Sequence, residues 1–158
     1  MTQKKAGGKR LWEKRPLVVV CSDERMETSL VRKISNETAG NNLAPFIISV
    51  FGGGLVLGDW PHRRNFERQG VLCQINRALD KFDVGFVIAT VHDKWCKEAA
   101  SLGLYSGYEK EYIQSHPEAE KKILMGHLKN ISVSLEIYYS WLRGRMRLGY
   151  IILPDHGH

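Results

Sequence analysis

At 158 residues, with 43% hydrophobic and 25% charged side chains, the chain suits one globular domain able to bury a core without disulfides. No run of about 18 apolar residues is present, which excludes a membrane-spanning helix. The Lys- and Gly-rich stretch Met1 to Arg15 lacks the apolar centre of a secretory signal, so a cytoplasmic protein is expected. The net charge of +6 gathers in Lys4-Lys5, Lys9-Arg10, Lys14-Arg15 and Arg143-Gly144-Arg145-Met146-Arg147. No nucleic-acid motif accompanies it, so these clusters read as a solvated arm and a basic helix end. Neither a membrane nor a nucleic-acid partner is expected.

In chain order, a basic N-terminal arm over 1–15 precedes Leu17-Val18-Val19-Val20-Cys21, a continuous β-branched run typical of a strand buried on both faces. Glu27 to Ile34 follows as a short helix, broken by Asn36 to Asn42. Phe46 to Phe51 is a second buried strand, stopped by Gly52-Gly53-Gly54, which alone reads as a flexible turn. Asn65 to Phe82 carries Val71, Leu72, Ile75, Ala78, Leu79 and Phe82 at helical spacing, with Cys73 on that apolar face as a core residue. Val84 to Val91 is a third strand ending at His92. Glu118 to Arg143 gives a long helix through Ile123, Leu124, Leu128, Ile131, Leu135, Tyr138 and Leu142. Tyr150 to Leu153 is a fourth strand, stopped by Pro154. Strands alternating with helices predict a single α/β domain over 16–158, built on a central, mainly parallel four-stranded sheet flanked by helices.

In such sheets ligands sit beyond the carboxyl ends of the strands. Cys21-Ser22-Asp23, Gly52-Gly53-Gly54 and His92-Asp93 follow the first three strands. Three cysteines make a disulfide framework an unnatural reading and leave thiols for other work. Cys21, His92 and Cys96 are ligands of the type zinc prefers, and three protein ligands leave a fourth position for water. Asp23 could coordinate the metal or accept a proton from that water, with Arg25 keeping it ionised and oriented. The terminal His156 and His158 read as a frayed end or as additional ligands or proton shuttles.

Cys21-x-Asp23-x-Arg25, a Gly-rich turn after the next strand, then an apolar helix and a strand ending in His92 with a nearby Cys resembles the β-class carbonic anhydrases. The resemblance covers roughly residues 16 to 102. It implies zinc as cofactor, with Cys21, His92 and Cys96 as ligands, and reversible hydration of carbon dioxide to bicarbonate and a proton through zinc-bound hydroxide. Asp23 and Arg25 would form the catalytic dyad, with Asp23 either bonded to Arg25 or occupying the fourth metal position, and Gly52, Gly53 and Gly54 would border the substrate pocket. A homodimer or higher homo-oligomer is the implied assembly.

The chain departs from that pattern. The family's His-x-x-Cys is here His92-Asp93-Lys94-Trp95-Cys96, one residue longer, and Ser49-Val50-Phe51 precedes the glycines where the family has Arg-Asn-Ala. The extra residue is either absorbed as a bulge or displaces Cys96 by up to about 3.3–3.6 Å. Two other functions stay open: the same zinc fold acting on carbonyl sulfide or carbon disulfide, and a non-catalytic scaffold binding an acidic or nucleic-acid partner.

Overall fold

A computed structural model describes residues 10, 13–22, 28–60, 65–138 and 146–153. Four strands, β1 (Arg15–Cys21), β2 (Phe46–Val50), β3 (Val84–His92) and β4 (Arg147–Leu153), form one sheet in the order β2-β1-β3-β4, with every neighbouring pair parallel. The two central strands are the two most continuous apolar runs of the sequence. β3 is buried along its whole length and β1 is buried from Pro16 onward. β2 and β4, at the edges, alternate or stay half-buried. The second strand, expected to be buried like the first, is instead an edge strand in which only Ile48 is buried, because it has a neighbour on one side alone.

Successive residues of each strand serve opposite faces. Leu17, Val19, Ile48, Val87, Ala89 and Val91 join the larger core with residues of α2 (Asn65–Lys81) and α5 (Pro117–Tyr138). Val18, Val20, Phe86, Ile88 and Leu153 point the other way, against Val31 and Ala39 of α1 (Thr28–Ala39). Two short helices, α3 (Lys97–Ser101) and α4 (Lys110–Ser115), lie between β3 and α5 in a stretch for which the sequence predicts no element.

Several expected boundaries move. The first helix does not stop at Ile34 but runs to Ala39. Ser35 and Thr38 hydroxyls donate back to the carbonyls of Arg32 (2.9 Å) and Ile34 (2.9 Å), so these polar residues are accommodated inside the helix. The break falls at Gly40, whose φ of 77° supplies the left-handed cap. The second strand ends at Val50, and the helix after it at Lys81 rather than Phe82. The fourth strand starts three residues earlier than expected, at Arg147, whose guanidinium lies 4.7 Å over the Phe86 ring. Arg147 therefore belongs to a strand and not to a basic helix end. Cys73 is exposed, not core: it sits beside the apolar stripe of α2 rather than on it. Residues 139–143 of the expected long helix lie outside the described residues.

Candidate metal centre

Parallel pairing with Cys21 level with Val50, and His92 level with Leu153, brings the carboxyl ends of all four strands to one edge. Cys21 closes β1 and His92 closes β3, and both are buried. Around Cys21 the work is done by backbone. The Gly52 N–H donates to Cys21 Sγ at 3.2 Å, and the Ser22 N–H donates to the Val50 carbonyl at 3.0 Å. The glycines are not a flexible turn. Gly53 has φ 54°, and a Cβ there would lie 2.4 Å from the Thr90 carbonyl oxygen and 3.0 Å from the Cys21 nitrogen. A Cβ on Gly54 would meet Ala89 Cβ at 2.7 Å. Only glycine allows this segment, which continues as a buried 3-10 turn over Gly53–Leu57, to press onto β1 and β3.

His92 is 1% exposed, and its Nδ1 lies 2.8 Å from the Asp93 carbonyl oxygen. A carbonyl only accepts, so Nδ1 carries the proton, and in the neutral ring the lone pair is on Nε2. Such an imidazole is oriented by its outer nitrogen and ligates with the other, as metal-binding histidines do. Asp93 is itself anchored, its N–H donating to the Leu153 carbonyl at 3.1 Å.

Cys96 is fully buried and caps α3, its Sγ accepting from the Ala99 N–H at 3.4 Å. The hydrogen bond with the Cys21 thiol, then burial, push the Cys96 thiol far above its ordinary range. The Cys96 thiol so placed stays protonated unless a cation joins it, and a bound divalent cation inverts that preference.

Cys21, His92 and Cys96 each offer a ligand atom, and these atoms all lie within 4.8 Å of one another. A tetrahedral zinc with Zn–S near 2.3 Å spaces its ligand atoms roughly 3.8 Å apart, so the set closes on an ion with shifts of about 1 Å. Two soft sulfurs and an imidazole suit a soft or borderline transition-metal ion rather than a hard one such as magnesium or calcium. The longer spacing from His92 to Cys96 is therefore absorbed. It is taken up by Lys94 (φ 56°) and Trp95 (φ 67°), two consecutive non-glycine residues in the left-handed region. The other expected dyad, Asp23 and Arg25, lies outside the described residues, as do His156 and His158.

Two residues of this centre were not anticipated. Glu120 on α5 is 1% exposed, and it accepts from the Lys94 N–H (2.9 Å), the Trp95 N–H (2.8 Å) and the Tyr105 hydroxyl (2.8 Å). Tyr105 in turn accepts from the Cys96 N–H at 3.2 Å and stacks on Trp95, with ring centroids 4.4 Å apart. Burial, then the bond to Glu120, raise the Tyr105 hydroxyl well above its ordinary range, so it stays a proton donor. A signal for Glu120 existed: it stands one helical turn before Leu124, at a stripe position where an apolar residue belongs.

Comparison of the chain with protein-family models, with curated proteins and with solved structures found no match. Among the described residues, no helix is long and apolar enough to cross a membrane.

Proposed function

We propose that this chain is a zinc-dependent enzyme of the β-carbonic anhydrase type, hydrating carbon dioxide to bicarbonate. The observation that carries the reading is the buried Cys21, His92 and Cys96 set, with ligand atoms within 4.8 Å at the strand ends. Cys21 and Cys96 would hold the ion as thiolates and His92 through Nε2, which leaves one position of a tetrahedral site for a small molecule. Zinc held there supplies Lewis acidity, bringing the pKa of coordinated water to about 7. The Gly52 N–H on Cys21 Sγ and the Ala99 N–H on Cys96 Sγ would draw charge from thiolates at these positions and orient both sulfurs. Asp23 would serve as proton acceptor with Arg25 as its charged partner, as the resemblance implies. The resemblance of Cys21-x-Asp23-x-Arg25 supports those two roles.

The test is elemental analysis of protein purified without chelator, together with stopped-flow hydration of carbon dioxide. About one zinc per chain, lost in Cys21→Ser, and hydration lost in Asp23→Asn are expected. Absence of zinc sinks the metal reading. Zinc with turnover of carbon disulfide but not of carbon dioxide keeps the metal and replaces the substrate.

A further inference from the structure

The segment that carries Cys96 is held in a conformation its own residues disfavour. Left-handed backbone crowds the Cβ of a residue with a side chain against the following carbonyl, and Lys94 and Trp95 both adopt it. Nothing local favours this: neither is glycine, asparagine or aspartate. The compensation comes from a distant part of the chain. The N–H groups of Lys94, Trp95 and Cys96, three in a row, all converge on the Glu120–Tyr105 pair. Glu120 is 1% exposed, and its two carboxyl oxygens accept from three neutral donors, two backbone N–H groups and the Tyr105 hydroxyl, which offset the cost of its burial. Neutral backbone donors fixed on consecutive residues define the path of that backbone far better than a mobile cationic side chain would.

We propose that Glu120, acting through Tyr105, is the positioning residue of the metal centre, holding the left-handed Lys94–Trp95 pair so that the Cys96 sulfur faces Cys21 and His92. This rests on the reading of Cys21, His92 and Cys96 as ligands. Without the carboxylate, the Lys94 and Trp95 N–H groups lose their acceptor, the pair relaxes towards ordinary backbone, and Cys96 leaves the ligand set first. Cys21 and His92, which terminate central strands, stay in place.

Cobalt(II) titration of the metal-free full-length protein tests it, because thiolate-to-cobalt charge-transfer absorption scales with the number of thiolates bound. Wild type should show two thiolates. Glu120→Gln, which matches the shape but replaces an acceptor by a donor, should bind cobalt roughly 10–100-fold more weakly and with the absorption of one thiolate. A role confined to stability would lower the unfolding midpoint but leave the folded protein with wild-type affinity and both thiolates, and that result overturns the proposal while the ligand assignment stands. Wild type that takes up no cobalt removes the ligand assignment itself, and the positioning role with it. Should Glu120→Gln fail to fold, Tyr105→Phe decides, since it removes only the hydroxyl between Glu120 and Cys96. A loss of roughly 3–10-fold in cobalt affinity supports the proposal, and wild-type affinity overturns it.

Discussion

The centre has two arms, and they hold their ligands by opposite means. On the Cys21 arm, main chain packs on main chain: glycines let one segment approach β1 and β3 within contact distance, and a backbone N–H meets the sulfur. On the Cys96 arm, two residues sit in disfavoured backbone and a buried side chain from a remote helix keeps them there. The first solution is local and intolerant of added atoms. The second is restrained from outside the loop, so the position of Cys96 is set by α5 as well as by the residues between it and His92.

The largest way to break the contrast is Gly53→Ala. Left-handed strain of about 1–2 kcal/mol adds to overpacking of about 1–3 kcal/mol against the Thr90 carbonyl. The expected loss is about 3 kcal/mol, measured by urea unfolding. A loss under about 1 kcal/mol would mean that the turn is looser than the contacts around Gly53 require. Gly70→Ala is the control, the same substitution in α2 where a Cβ meets nothing within 4 Å. It should stabilise by about 1 kcal/mol, the helix-propensity difference alone.

On the other arm the expected change is a gain. Lys94→Gly relieves left-handed strain of about 1–2 kcal/mol against an added chain entropy of about 0.5–1 kcal/mol. A net gain of about 0.5 kcal/mol should appear in the same unfolding measurement, and destabilisation there would mean that the clamp is not resisting strain.

The smallest effect sharpens the far end of the first arm. Trp60 Nε1 donates to the Leu55 carbonyl at 2.6 Å, and His127 of α5 lies beside its ring, 5.9 Å between centroids. Burial lowers the His127 pKa from its ordinary 6.5. Below pH 6.5 the unfolded chain then binds more protons than the folded one. Stability should fall as pH drops through that value and level off once pH is below the folded pKa. His127→Gln should flatten this part of a melting-temperature profile between pH 7.5 and 5, and superimposable profiles would clear His127 of any role.

Fold class was legible because the two central strands are continuous β-branched runs, and their ends placed Cys21 and His92 at one edge without further information. Cys96 was legible as a residue type but not as a position, because its placement depends on the backbone angles of Lys94 and Trp95, which leave no mark in residue spacing. Cys73 was misplaced by adjacency to Leu72, since one step along a helix turns a side chain by about 100° and carries it off the stripe. Glu120 was overlooked because a glutamate in the first turn of a helix normally serves the dipole in solvent. The polar residues of α1 suggested a break only because their bonds to helical carbonyls do not show in composition.

All three ligands have left the ribosome once Cys96 has, yet the carboxylate that shapes their loop comes 26 residues after Lys94. A nascent chain that already displays Cys21, His92 and Cys96 therefore lacks the means to set their spacing until α5 docks on the sheet. Lys94 reaches Glu120 across 26 residues, whereas Thr90 reaches the Val19 carbonyl across 71, so the sheet pairing that sets Cys21 beside His92 carries the larger loop-closure entropy. A metal ion needing all three side chains would accordingly wait for both β1–β3 pairing and α5, and its uptake would report that both are in place.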